Sequence, residues 1–235
     1  MRSMFKLLCL TLAFPGVLPA ASPIFELDAT RASGDSERWF QEQGWEFRED
    51  LKDMRPRFED GAWVVEPQSD ELGLAIRQFA PEEFMSNVRT LRIEWGVDQY
   101  PEGADWSGPR SARRNTRNAI AVMLFFGQEK QDSGSAFVPD LPYFLSFFLG
   151  ENERPGSAYF SNYWQKGGRY FCIPCDGSTG KVFITEVDLP SLFEREFGRP
   201  MPPITGITIE VDVQNTSAHN GRHSKAFLRR ISLSP

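Results

Sequence analysis

The segment over residues 204–216 constrains the fold most, because its apolar residues fall on alternate positions. The apolar members are Ile207, Ile209, Val211 and Val213, and the polar members between them are Thr208, Glu210, Asp212 and Gln214. A period of two places successive side chains on opposite faces of a β-strand. The segment therefore predicts a strand with one apolar face and one polar face, and the polar face carries two carboxylates.

The same alternation recurs over residues 91–97 and 227–233. Turns rich in Gly and Pro separate the apolar runs, and Asp60-Gly61 between apolar neighbours indicates a β-hairpin. Strands do not alternate with helices, which argues against a parallel sheet. We predict ten or eleven short strands and one or two short helices, the clearest helix over residues 190–197. The predicted fold class is all-β, an antiparallel two-sheet β-sandwich of jelly-roll type.

The first twenty residues have the features of a secretory signal peptide. Arg2 and Lys6 form a basic start, residues 7–18 form a short apolar run, and Ala20 is a small residue at the cleavage point. The apolar run is too short to span a bilayer. We therefore expect a periplasmic or secreted protein that is cut after Ala20 and has no membrane span.

Removal of the signal peptide leaves an acidic chain. Without Arg2 and Lys6, the 26 basic residues become 24 against 32 acidic residues, a net charge of −8. This balance argues against nucleic acid as a partner. The predicted organisation is a signal peptide over residues 1–20, a flexible lead-in over 21–36 and a single β-sandwich domain over 37–235. The sequence leaves the oligomeric state open.

Two cysteines remain after export, Cys172 and Cys175, in the sequence CIPC. Such a pair forms a redox site, half of a zinc site or a local disulfide. A thioredoxin-like redox pair would open a helix, whereas this pair lies between a strand-like segment and a turn. Zinc would need two more ligands, and His219 and His223 lie in a Gly-containing loop segment. We favour a disulfide in an oxidising compartment and predict no metal and no cofactor.

Several segments match a known family. They are VRTLRIEWGVDQYPEGAD over 88–105, AIAVMLFFG over 119–127, SNYW over 161–164 and VDLPSLFEREFGRPMPPITGITIEVDVQNT over 187–216. Together they resemble the family called domain of unknown function 3047. The resemblance implies an exported bacterial protein of this fold and no settled activity. Where the family has acidic residues before the next strand, this chain has Arg113, Arg114 and Arg117, so the resemblance implies no cation site there.

The polar strand faces suggest a surface that binds a ligand. If the strands carrying Glu94 and Glu210 share a sheet, charged side chains and one aromatic ring would line one face. The candidate residues are Arg77, Arg92, Glu94, Trp164, Glu210 and Asp212. Sugars bind such faces when aromatic rings stack on the sugar rings and charged groups fix the hydroxyls. The further aromatic candidates are Tyr100, Trp106 and Tyr163. The alternative is a solvated face with cross-strand ion pairs.

An arginine-rich loop stands out in this acidic chain. Its members are Arg110, Arg113, Arg114 and Arg117. Guanidinium groups bind carboxylates, sulfates and phosphates in a bidentate way, so the loop is a candidate anion site for an acidic glycan, a lipid phosphate or an acidic partner. A charged loop that balances nearby Asp and Glu is the alternative that we favour.

These features predict an exported, non-enzymatic binding module for a carbohydrate or other polar ligand. One alternative is a carbohydrate-active enzyme that pairs Glu94 with Glu210 or Asp212. Another is a structural or partner-binding protein of the envelope. The sequence contains no Gly-x-Ser-x-Gly segment, and we assign no catalytic residue.

Overall fold

The computed structural model describes residues 22–108 and 116–235. Within these ranges, thirteen strands form two sheets that pack face to face. The predicted β-sandwich of jelly-roll type is confirmed, with more strands than expected. The helices are α1 (Ser36–Glu42), α2 (Leu189–Phe197) and the short 3₁₀ helices Asp50–Lys52 and Pro81–Glu83.

One sheet has six strands. In spatial order they are β11 (Phe183–Asp188), β6 (Thr90–Gln99), β13 (Lys225–Ser234), β4 (Ala62–Val65) and β3 (Arg57–Glu59), and β1 (Phe25–Asp28) also pairs with β13. All of its strand pairs are antiparallel. The prediction of a flexible lead-in over residues 21–36 does not hold for β1, because β1 adds a ladder to this sheet.

The other sheet has seven strands. In spatial order they are β2 (Glu46–Glu49), β5 (Leu72–Gln78), β12 (Ile204–Asp212), β7 (Asn118–Gln131), β8 (Leu141–Phe148), β10 (Gly168–Cys172) and β9 (Ala158–Tyr159). The β8–β10 pair is parallel, so this sheet is mixed.

Local sequence explains the β3–β4 hairpin and the bounds of α2. Asp60 and Gly61 have φ of 51° and 69°, as the two central residues of a type I′ turn require. The carboxylate of Asp188 accepts a backbone N–H from the first turn of α2, and Gly198 ends the helix with φ of 65°. The hairpin and the helix are therefore where the sequence predicts them.

The seven-stranded sheet is apolar on both faces. Its inner face joins the core between the sheets, to which β12 contributes Ile207, Ile209 and Val211. Its outer face carries a second apolar cluster. The cluster consists of Trp106, Ala121, Met123, Phe144, Phe148, Tyr170 and Cys172. Trp106, which follows β6 in the chain, packs on this outer face against Phe148 and Tyr170.

The condition that Glu94 and Glu210 share a sheet is not met. Glu94 lies on β6 of the six-stranded sheet, whereas Glu210 lies on β12 of the other sheet. On β6, Arg92 pairs with Glu94 at 3.1 Å and with Glu186 at 2.6 Å. The Arg92–Glu186 pair joins β6 to β11, the Arg92–Glu94 pair lies along β6, and both are on the outer face of the six-stranded sheet. The pairing of Glu94 with Glu210 or Asp212 as catalytic carboxylates is excluded as well.

Arg77 also lies apart from Glu210, although β5 and β12 are neighbours. Arg77 is opposite the core residue Ile207, so both side chains point to the inner side of the sheet. The guanidinium donates to the carbonyl of Gln43 at 2.6 Å and lies over the ring of Phe79. Arg77 thus stabilises the edge of the sandwich.

Two predictions fall outside the described residues. These are the signal peptide over residues 1–20 and the positions of Arg110, Arg113 and Arg114. Among the helices of the described ranges, none is long and apolar enough to cross a membrane.

A candidate ligand-binding cleft on the seven-stranded sheet

A cavity of about 340 Å³ opens on the outer face of the seven-stranded sheet, beside the end of β12. Its principal walls are Trp106, Arg117, Trp164, Tyr170, Glu210 and Asp212. The volume falls in the range of roughly 300–1,000 Å³ that is typical of small-molecule sites. Three of the predicted binding residues, Trp164, Glu210 and Asp212, therefore meet in one cleft.

The alternation of β12 places both carboxyl groups in the cleft. Ile209 and Val211 are buried in the core between the sheets, so Glu210 and Asp212 must point to the other side. Glu210 lies opposite Leu74 of β5 on the outer face. The two acids are therefore side by side on one face of one strand.

Arg117 neutralises part of this acidic site from the loop that precedes β7. Its Nη1 lies 2.8 Å from Oδ2 of Asp212, and the two side chains are 13% and 12% exposed. Its Nε donates to the carbonyl of Gln214 at 2.6 Å. The guanidinium of Arg117 is thus committed to β12 and its following turn, so it does not form a free anion site.

The environment raises the pKa of both acids. Burial and the neighbouring charge of Glu210 raise the pKa of Asp212 to about 7, although Arg117 and the backbone N–H of Gln214 act in the opposite direction. Burial also raises the pKa of Glu210, against the hydrogen bond that Asn118 donates to it. Two interacting acids titrate as a pair. The cleft therefore keeps a carboxylic acid protonated at pH values well above those at which Asp and Glu ordinarily lose their proton.

Trp106 and Tyr170 form an aromatic wall beside the acids. Their ring centroids are 4.6 Å apart, and Trp106 also stacks on Phe148 at 5.1 Å. The indole Nε1 of Trp106 donates to the carbonyl of Arg117 at 3.1 Å. Both rings are less than 10% exposed, so they offer little open ring surface to a ligand.

Trp164 is held in an unusual backbone conformation at the rim. Its φ of 53° lies in the left-handed region, which is rare for a bulky residue. Its backbone N–H donates to the carbonyl of Ser133, and its indole Nε1 donates to the carbonyl of Pro139 at 2.9 Å. Such a conformation costs roughly 1–3 kcal/mol and occurs often at functional sites. Both the chain and the ring of Trp164 are therefore fixed beside the cavity.

Tyr163 also lines the cavity, and the other candidates lie elsewhere. Cys172 and Cys175 form a disulfide with Cα atoms 5.5 Å apart. Tyr100 is buried away from this cleft, and its burial raises the pKa of its hydroxyl. His223 hydrogen-bonds with Thr216 in the loop before β13. Within residues 22–108 and 116–235, no three His, Cys, Asp or Glu side chains form a group that could hold a metal ion.

Sequence reasoning missed four polar lining residues and one aromatic, which are Thr116, Ser161, Asn162, Gln214 and Tyr170. Gln214 continues the alternation of Glu210 and Asp212, so its position could have been found from the sequence. Asn162 and Tyr170 carry no such signal, because their place in the cleft depends on how β8 and β10 pair.

Comparisons with known proteins find similar folds among solved structures. The carbohydrate recognition domain of Emp46p, in its potassium-bound form, is 10% identical, with 91% of this chain and 98% of that chain covered and a TM-score of 0.43. The catalytic domain of Humicola grisea Cel12A is 12% identical, with 90% and 99% covered and a TM-score of 0.40. A mutant of CBM29-2, a family 29 carbohydrate-binding module, is 10% identical, with 89% and 91% covered and a TM-score of 0.32.

No family model matches the chain. A search of curated proteins also finds no match.

Proposed function

We propose that this protein binds a carbohydrate, without catalysis, in the cleft beside the end of β12. The observation that carries the proposal is the combination of Trp164, held with φ of 53° at the rim, with the carboxyl pair of Glu210 and Asp212 on the floor. An aromatic ring beside fixed polar groups suits a ligand that has apolar faces and hydroxyl edges.

The polar groups of the cleft suit the hydrogen-bonding needs of a sugar. Each hydroxyl of a sugar donates one hydrogen bond and accepts others. The ionised acid accepts from a hydroxyl, whereas the protonated acid also donates to one. The guanidinium of Arg117 holds Asp212 in place at 2.8 Å, so that part of the site is formed before a ligand arrives. Preorganised groups lower the entropic cost of binding.

A glycan array probed with the processed protein tests this proposal. We expect binding to at least one glycan, and Trp164→Ala and Glu210→Gln should each weaken it by about tenfold or more, which corresponds to ~1.4 kcal/mol per factor of ten. Glu94→Gln is the matched control, because it removes the same charge from the outer face of the other sheet. Absence of binding across a broad array, or equal losses in all three variants, would refute the proposal.

Hydrolysis is the second candidate function, and the raised pKa of the acids favours it. A glycosidase needs one protonated carboxylic acid and a second carboxylate at the bond to be cleaved. Glu210 and Asp212 share the cleft, and burial raises the pKa of each. Release of reducing ends from polysaccharides, abolished in both Glu210→Gln and Asp212→Asn, would establish this activity. Binding without release of reducing ends would favour the binding module.

We also propose that the protein acts in the periplasm or outside the cell and that it belongs to the domain of unknown function 3047 family. The signal-peptide pattern of residues 1–20 and the Cys172–Cys175 disulfide support export, because disulfides persist in oxidising compartments. Amino-terminal sequencing of the secreted protein should begin at Ala21. A mature protein that begins at Met1 would contradict export.

A further inference from the structure

A second cavity lies on the same outer face as the cleft. Its volume is about 430 Å³, and its walls include Ile76, Phe125, Gln128, Lys130, Leu141 and Thr208. None of these residues belongs to the first cavity.

Strand register shows that the floor of the two cavities is continuous. Thr208, Glu210 and Asp212 are successive outward residues of β12, and Thr208 lines the second cavity while the two acids line the first. The partners of Thr208 and Asp212 on β5 are Ile76 and Leu72, which line the second and first cavity in the same order. From residue 206 to residue 212 the strand extends about 20 Å, at roughly 3.3 Å per residue.

Aromatic contacts also connect the cavities. Phe144 lies 5.5 Å from Tyr170 and 6.0 Å from Trp164, both in the first cavity. The same ring lies 5.7 Å from Phe125 in the second cavity. Phe144 is fully buried, so it packs beneath the rings of both cavities.

The two cavities differ in chemistry in a way that suits one long ligand. The first is acidic and rich in hydrogen-bonding groups. In the second, the half-buried apolar side chains of Phe125 and Leu141 lie beside the exposed Gln128 and Lys130. Apolar patches with amide and ammonium groups at their edge suit the C–H faces and hydroxyl edges of further sugar units.

We propose that the ligand is an extended oligosaccharide that lies along the seven-stranded sheet and occupies both cavities at once. The inference rests on the proposed function, because it extends the same binding site. It differs from that function in one respect: affinity must depend on chain length, and residues of the second cavity must contribute only when the chain is long enough to reach them.

Titration calorimetry with oligosaccharides of increasing length tests this inference. The probes are β-1,3-linked and β-1,4-linked glucose oligomers, chito-oligosaccharides and agaro-oligosaccharides, each with two, four and six units. For the series that binds, we expect the six-unit chain to bind at least about tenfold more tightly than the two-unit chain, which corresponds to ~1.4 kcal/mol. Equal affinity at all lengths would overturn the inference while leaving the proposed function intact.

Variants of the second cavity give an independent test. Phe125→Ala should weaken binding of the six-unit chain by about tenfold and leave the two-unit chain unaffected. The Gln128→Ala/Lys130→Ala double variant alters exposed side chains, so its folding is not at risk, and it should show the same length-dependent loss. Glu210→Gln should weaken binding at every length.

The outcomes separate the two proposals. If Phe125→Ala and the double variant bind the six-unit chain like the wild type, the long ligand is refuted. If the wild-type protein binds no chain of any length, the proposed function itself is refuted.

Discussion

The carboxyl pair of the cleft makes a quantitative prediction about stability and pH. The folded protein holds the proton of Asp212 with a pKa of about 7, against an ordinary value of 3.8. Because the folded state binds this proton more tightly than the unfolded chain, its stabilising effect is complete below pH 3.8 and is lost as the pH rises through about 7. At 1.36 kcal/mol per pH unit, the loss amounts to ~4 kcal/mol. The side chain is 12% exposed, so solvent screens this effect little.

Asp212→Asn isolates this effect because asparagine has nearly the same shape and does not titrate. We expect the difference in unfolding free energy between wild type and Asp212→Asn to change by ~4 kcal/mol from pH 4 to pH 8, with the wild type losing stability relative to the variant. Glu210→Gln should show part of this change, because it removes the neighbouring charge and leaves Asp212 buried. Urea denaturation at five pH values across this range measures each difference.

Glu94→Gln is the control for loss of one carboxylate, because Glu94 lies on the other sheet and is paired with Arg92. Its free energy of unfolding should follow that of the wild type at every pH. The reasoning fails if the curve of Asp212→Asn is also parallel to that of the wild type, since the proton would then bind equally to the folded and unfolded chains.

Three further predictions concern packing and backbone conformation, and urea denaturation at fixed pH measures each. Phe40 is fully buried, and its ring centroid lies 4.9 Å from that of Trp63. Phe40→Ala should therefore cost about 3–5 kcal/mol of unfolding free energy. A loss below about 1 kcal/mol would contradict this packing. Gly96→Ala would place a methyl group against the carbonyl of Lys181 and should cost about 1–3 kcal/mol. An unchanged urea midpoint would contradict this, because it would mean that the backbone moves to make room at no cost. Gly198 has φ of 65°, and no atom lies near enough to clash with an added methyl group. Gly198→Ala should therefore cost about 1 kcal/mol for the left-handed conformation alone, and Gly198→Asn should cost less. Equal losses in the two variants would refute this conformational explanation.

The sequence was most informative where one local rule decides the structure. Alternation along β12 predicts that Glu210 and Asp212 leave the core, and the buried Ile209 and Val211 confirm it. The Asp60-Gly61 dipeptide predicts the β3–β4 turn, because few residues adopt positive φ at two successive positions. These features depend on neighbours in the chain, which a single sequence contains.

The composition of each sheet could not be predicted in this way. The strands that carry Glu94 and Glu210 have the same alternation, yet they belong to different sheets. Alternation predicts which side chains share a face of a strand, but it does not identify the strand that pairs with it. Arg117 shows the same limit, because its ion pair with Asp212 joins two residues that are far apart in the chain.

The position of β13 has a consequence for how the chain reaches this fold. Residues 225–234 follow all the other strands of the six-stranded sheet in the chain, yet β13 lies in the interior of that sheet, between β6 and β4. In a nascent chain that lacks these residues, the β11–β6 pair and the β4–β3 pair would have no strand between them. Their exposed strand edges would readily pair with other chains. A chain truncated before residue 225 should therefore aggregate, and the six-stranded sheet can close only after β13 has been synthesised.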